Sequence, residues 1–275
     1  MIKFPFIILA YERATMINDM IQSIEKSTDM SLIDLIIVDN HSQSYFMKMN
    51  ILHYRDKGYT VLNSNKNIGL EGYNLGLQYA YQNKHHDYFL MSDPDIILNP
   101  NMPKDWPLTM MEMLHAFPEV AKVGVALDYE IISRTNDSEQ NWNKMKLVYQ
   151  NEKKLQNENE ACNEGCNKMY HYNDIPFFYS PVDTTLCCCR NDMLYFWDGK
   201  SIPQFKIRDY YFPQTFYNKK FTDGAIRIGG EKYKCRHLGW ETENPRYRND
   251  FEEYKKGMKR DGIDERLAST MKMIG

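Results

Sequence analysis

The feature that most constrains this chain is the alternation, over its first hundred residues, of short apolar runs with helical repeats, each run stopping at a polar cluster. Phe4–Ala10 stops at Tyr11-Glu12-Arg13, and Met16, Ile17, Met20, Ile21 and Ile24 then recur at helical spacing. Residues 32–38, broken only by Asp34, stop at Asp39-Asn40-His41-Ser42, and a helical stretch follows over 44–55. A third run, 59–62, leads through a loop at 63–69 into a helical pattern at 70–82, and a fourth, 88–91, ends at Ser92-Asp93-Pro94-Asp95. Strands separated by helices of this length read as βαβ units, hence an α/β fold with a mainly parallel sheet flanked by helices. Ligands bind beyond the carboxyl ends of such strands. The four polar clusters are therefore expected on one edge.

Composition closes off other classes. At 275 residues, 43% apolar and 26% charged, the chain excludes disorder, collagen and a coiled coil. No apolar run nears the roughly 20 residues of a spanning helix. The first ten residues are too short, and lack the cleavage site, for a signal peptide, so they read as a buried strand. Six cysteines, three of them consecutive (Cys187, Cys188, Cys189), point to reduced thiols and a cytoplasmic setting. Cys162 and Cys166 have no second pair with zinc spacing.

The organisation expected is one continuous domain in two halves, 1–130 and 131–275, with a polar insertion at 133–173 and no internal repeat. Strands are expected at 182–190, Ala225–Ile228 and 233–237, and a charged helix at 245–272. The formal net charge of −3 is unevenly spread: 17 basic and 26 acidic residues in 1–198 give −9, against 17 and 11 in 199–275, which give +6. The basic third points to an anionic partner or to a solvated mixed-charge surface.

Four constellations carry chemistry. Asp93 and Asp95 follow a strand directly, with Pro94 fixing the turn. Two carboxylates so placed can meet one Mg²⁺ or Mn²⁺ ion that completes its shell with substrate phosphates; the plain alternative is a turn or cap. Lys66-Asn67-x-Gly69-x4-Asn74-x-Gly76 opens a helix, where a glycine permits close backbone approach and anions are favoured, although neither a P-loop nor a dinucleotide fingerprint is present. His237, in Cys235-Arg236-His237-Leu238-Gly239-Trp240, is a third metal ligand or a structural histidine. Asp183, heading a strand among apolar neighbours, is a general base or a cap on Thr184 or Thr185.

In this order, Tyr11-Glu12-Arg13, Val38-Asp39-Asn40, Asn67-Ile68-Gly69-Leu70 with Asn74, and Asp93-Pro94-Asp95, the motifs resemble the nucleotide-binding half of family 2-like glycosyltransferases with the GT-A fold. Val182-Asp183-Thr184-Thr185 and Arg236-His237-Leu238-Gly239-Trp240 look like blocks of some bacterial and viral members. The likeness spans residues 4–130 and those two islands. It implies transfer of a sugar from a nucleotide-diphosphate donor, a UDP-sugar favoured, to a hydroxyl acceptor. It places Tyr11 and Glu12 at base and ribose, Asp39 on nucleobase or ribose, and Lys66, Asn67 and Gly69 near the nucleotide. It places Asp93 on ribose and metal, Asp95 as the more direct ligand, and His237 in the shell of Mn²⁺ or Mg²⁺. Inversion would need a base on the opposite sugar face, and Asp183 takes that role, with Asp209 and Glu241 as rivals. The sequence departs from the family where Asn40 follows Asp39 in place of a second acid, and where the acidic pair before an acceptor helix is absent.

Residues 206–212 and 216–221 interleave cations with aromatics, which stack on sugars or bases. The acceptor expected is a saccharide or lipid-linked glycan. A modified base in nucleic acid and an inactive sugar- or nucleic-acid-binding module stay open, as does peripheral membrane contact. A nucleotidyltransferase is disfavoured because Tyr11-Glu12-Arg13 stands where its Gly-rich loop would follow strand one.

Overall fold

The computed structural model describes residues 3–83, 87–118, 120–128, 170–179, 182, 185–190, 225–241 and 244–263. Asp183, Asp209, Cys162 and Cys166, residues 206–221, and most of the polar insertion lie outside them.

Among the described residues nine strands form one sheet in the order β3-β2-β1-β4-β9-β6-β10-β8-β7. These are β1 (Phe4–Ala10), β2 (Ile33–Asp39), β3 (Thr60–Asn63), β4 (Tyr88–Ser92), β6 (Lys122–Val125), β7 (Tyr170–Tyr172), β8 (Ile175–Tyr179), β9 (Cys187–Arg190) and β10 (Ala225–Ile228). β5 (Ile96–Ile97) and β11 (Arg236–His237) pair separately. Helices α1 (Ala14–Ser27), α2 (Tyr45–Asp56), α3 (Gly72–Asn83), α4 (Trp106–Ala116) and α5 (Arg248–Arg260) pack around the sheet.

The expected βαβ reading holds for β3-β2-β1-β4, which are parallel throughout. Every residue of β1 is buried, as an apolar run covered on both faces must be. The register pairs Ala10 with Asp39 and Asp39 with Asn63, while Ile8 pairs with Ser92. The polar residues after these strands therefore emerge on one edge. Beyond β4 the sheet is mixed: β9 runs antiparallel to both β4 and β6, and β10 returns parallel to β6. The strand expected at 182–190 is narrower, beginning at Cys187. The end of the polar insertion forms β7, hairpinned on β8.

Successive side chains of β9 face opposite sides of the sheet. Cys188 packs into the core with Phe6, Ile8 and Trp106, whereas Cys187 and Cys189 pack with Ile7, Tyr73 and Leu77. All three, with Cys235, are buried free thiols. Burial pushes the Cys188 thiol well above its ordinary range and Cys235 up to about 12, so neither is a ready nucleophile.

The helix expected at 245–272 starts at Arg248 after a 3-10 turn, and its described part ends at Arg260. It binds back onto the opening βα unit. Arg13, at the head of α1, makes no side-chain cap there. Asp250 of α5 does so instead: its Oδ2 accepts the Met16 amide at 2.7 Å. The satisfied amide lies in the first turn, where orphan donors and the helix dipole both favour a carboxylate. Burial nevertheless holds the Asp250 carboxyl above its ordinary value, against the Met16 and Thr15 bonds and the charge of Arg13.

Candidate functional site

The carboxyl edge of β1–β4 is where the expected residues gather. Asp93 and Asp95 flank the turn after β4, and residues 96–97 pair antiparallel with residues 236–237, His237 opposite Ile96. The Leu238 amide donates to the Asp95 carbonyl at 2.7 Å. This short ladder sets His237 Nδ1 3.9 Å from Asp95 Oδ2, with the imidazole stacked on Trp240 at a centroid distance of 4.4 Å. Gly239 closes the arrangement. A Cβ there would sit 2.5 Å from Asp95 Oδ2 and 2.8 Å from His237 Cε1, so only glycine lets the backbone approach this carboxylate and ring. Asp93 Oδ1 accepts the Tyr73 hydroxyl at 3.1 Å.

Arg13 is a residue the sequence reading left as the polar end of β1. Its Nη1 reaches Asp95 Oδ2 at 2.6 Å, and the side chains are 9% and 1% exposed. The guanidinium also lies 4.3 Å over the ring of Tyr254 on α5. Burial opposes its charge, but Asp95, then Tyr254, Asp93 and Asp250, outweigh burial and hold its pKa above the ordinary value. A buried cation facing carboxylates in sequence-distant elements is also a natural partner for a polyanion. The only sequence signal was a charge immediately ahead of an amphipathic helix.

Tyr11 and Glu12 come together with the end of α5. The Tyr11 hydroxyl donates to Asp261 Oδ2 at 2.6 Å, and burial, then Asp261, raises its pKa. Glu12 is buried at a left-handed φ of 55°; its carboxylate accepts the amides of Gln43 and Ser44 at 2.6 and 2.9 Å and Arg260 Nη1 at 3.0 Å. It thus satisfies amides just ahead of α2. Asp39, also buried, accepts the Ser42 amide at 3.1 Å; burial holds its carboxyl above the ordinary value, against that bond. A groove of about 470 Å³ opens between α2 and residues 63–65, with Asp39 and Ser42 in its wall.

Asn40 organises the loop before α3. Its Oδ1 accepts the Ile68 amide, and its Nδ2 donates to Asn67 Oδ1 and the Gly69 carbonyl. Gly69 has a φ of 59° and no side chain or backbone atom within 4 Å of where a Cβ would lie. Its glycine therefore answers a left-handed turn, and the space beside it is open. Lys66 is exposed. Glu241, the rival base, is held by Arg236 on both oxygens and by Asn244 Nδ2 at 2.8 Å.

The residues present suit a divalent cation that shares its shell with a diphosphate. Asp95 and His237 supply a carboxylate oxygen and an imidazole nitrogen on one glycine-floored spot, with the Asp93 carboxylate on the same turn. Among the described residues no group of three His, Cys, Asp or Glu side chains is placed to hold a metal ion. An ion here therefore needs ligands from its substrate.

Among solved structures, the chain is similar to a mannosyltransferase, PcManGT, from Pyrobaculum calidifontis in complex with GDP-Man and Mn²⁺: 12% identity, 86% of this chain and 56% of that one covered, TM-score 0.48. It is also similar to residues 1–349 of TarS from S. aureus, at 12% identity, 86% and 60% coverage and TM-score 0.47. A third is glucosyl-3-phosphoglycerate synthase from Mycobacterium tuberculosis in complex with Mn²⁺, UDP-Glc and phosphoglyceric acid, at 14% identity, 95% and 80% coverage and TM-score 0.45. The chain thus spans little more than half the length of the mannosyltransferase. No protein-family model matches the sequence, and no curated protein matches it.

Proposed function

We propose that this chain is a metal-dependent glycosyltransferase of the GT-A kind, moving a sugar from a nucleotide-diphosphate donor to a hydroxyl acceptor. The observation that carries the reading is the β5–β11 pairing, which brings His237 against Asp95 beside the carboxyl edge of β1 and β4. A turn or cap needs no histidine from so distant a segment.

In this reading the base and ribose lie along the edge formed by Tyr11, Asp39 and the groove beside it, with Asn40 holding residues 67–69 in place. Asp93 faces the ribose. Asp95 and His237 would hold Mn²⁺ or Mg²⁺, which as a Lewis acid stabilises charge developing on the diphosphate leaving group. Arg13 balances the Asp95 carboxylate in the ground state. As the sugar–phosphate bond breaks, negative charge grows on the leaving oxygens, and a fixed buried guanidinium is positioned to answer it without reorganising. The acceptor hydroxyl loses its proton to a base on the opposite sugar face, and Asp183 is assigned that role. The acceptor is a saccharide or a lipid-linked glycan, taken up by the second half of the chain.

The test is a thermal-shift panel of UDP-, GDP-, CMP- and dTDP-sugars, each with Mn²⁺ and with chelator. Ligand at about 100 times its Kd adds roughly 2.7 kcal/mol, a readily seen shift. One nucleotide shifting only with metal supports the reading. No shift with any donor, or equal shifts with chelator, overturns the metal assignment. Asp183→Asn should then keep the donor shift and lose transfer; undiminished transfer moves the base elsewhere.

A further inference from the structure

Four of the five exposed large apolar side chains among the described residues lie on one helix, α2: Tyr45 (70% exposed), Phe46 (59%), Leu52 and Met49. The opposite face of α2, Met47, Ile51 and Tyr54, is buried in the core. A helix apolar on both faces is ordinarily covered on both. At helical spacing Tyr45, Met49 and Leu52 form one outward ridge that ends at the exposed Asp56, with Phe46 on one flank and Lys48 and Arg55 on the other. Lys48 bonds Gln43 and Arg55 bonds Asn63; among the described residues neither meets a carboxylate. Lys57, just past the helix, is neutralised by Glu25.

We propose that the outer face of α2 docks on the interfacial zone of an anionic lipid bilayer. Lys48, Leu52 and Arg55 also line the groove that the transfer reading gives to the nucleotide, so vesicle binding and not activity is the readout. Tyr45, Phe46 and Met49 stand outside the groove beside α2 and are exposed on the helix surface. Aromatic and flexible apolar side chains over a cationic flank are what an interfacial helix presents to headgroups and upper acyl chains. Lys48 and Arg55, which meet no carboxylate among the described residues, outnumber Asp56 on this face and complement anionic headgroups. They also argue against a second copy: two such helices packed antiparallel about a two-fold would set the Lys48–Arg55 flank against itself.

The test is co-sedimentation of the full chain with phosphatidylcholine vesicles, and with vesicles of phosphatidylcholine and phosphatidylserine at about three to one. Binding to the anionic vesicles that weakens with salt is expected. Tyr45→Ser/Phe46→Ser/Met49→Ser should lower it at least tenfold without changing the melting temperature by more than a degree or two. Lys48→Glu/Arg55→Glu should abolish the preference for anionic over neutral vesicles. As a second readout, the emission of Phe46→Trp should shift to the blue on adding anionic vesicles. No sedimentation with either vesicle, undiminished binding by the triple variant, or a dimer in sedimentation velocity that the triple variant dissolves would each overturn the proposal.

Discussion

The buried pair Arg13–Asp95 makes a quantitative claim. Replacing Asp95 with Leu leaves a guanidinium that is 9% exposed without its 2.6 Å partner. Removing one member of a buried pair costs about 3–5 kcal/mol, because the other charge stays buried and uncompensated. Here Arg13 still feels Asp93 and Asp250, which places the expected loss at the lower end, about 3 kcal/mol. Arg13→Met strips the same charge from Asp95, which keeps His237 at 3.9 Å, so its cost is expected in the same range, about 3–5 kcal/mol. The double variant Arg13→Met/Asp95→Leu removes both charges, and it should be more stable than either single variant by about 2 kcal/mol or more. Urea unfolding followed by tryptophan fluorescence measures this, as a shift in midpoint with unchanged slope. If both single variants lose under about 1 kcal/mol, the pair behaves as an exposed ion bridge, and the buried geometry given for the site is wrong. The same numbers bear on activity: Asp95→Ala tests the metal role only if its unfolding midpoint shows that the protein is still folded at the assay temperature.

Gly239→Ala should cost about 1–3 kcal/mol, since its Cβ would lie 2.5 Å from Asp95 Oδ2; a Mn²⁺ titration of donor binding should also weaken, checked by thermal shift. Asp250→Ala removes the acceptor for the Met16 amide and should cost about 1 kcal/mol in urea unfolding. Asp250→Asn keeps an acceptor and loses the charge. Because burial holds the folded Asp250 pKa above the unfolded value of about 3.9, the folded state binds more protons between those values, so this group's contribution falls as pH rises through that window and stays reduced above it. Relative to the parent, Asp250→Asn should therefore gain stability as pH rises from about 4 to 7, read from urea midpoints at each pH.

The opening half of the fold was legible because its information is local. Phe4–Ala10 is a continuous apolar run and is buried throughout, and the helices after it carry their own period. A strand over the three consecutive cysteines was also expected, whereas its burial on both faces is seen only in the structure. Its direction was not legible, since running antiparallel between β4 and β6 is fixed by topology and not by side chains. Of the site, the carboxylates and His237 could be named from motifs. The partners of Arg13, Glu12 and Asp250 could not, because each bond joins segments far apart in the chain. A charge at a strand end looks the same in sequence whether it faces water or a buried counter-ion.

The trans-capping of α1 has a consequence for how the protein is made. The Met16 amide receives its carboxylate from a residue 234 positions later, and Asp95 meets His237 only from the same late part of the chain. Contacts of such sequence separation form late, after the entropy of closing the intervening loop has been met. During synthesis the first βα unit must therefore persist, incompletely satisfied, until Asp250 has left the ribosome. A nascent protein stalled before residue 237 would hold a sheet but no binding centre. On the reading proposed above, donor binding would then be gained late, once His237 is in place.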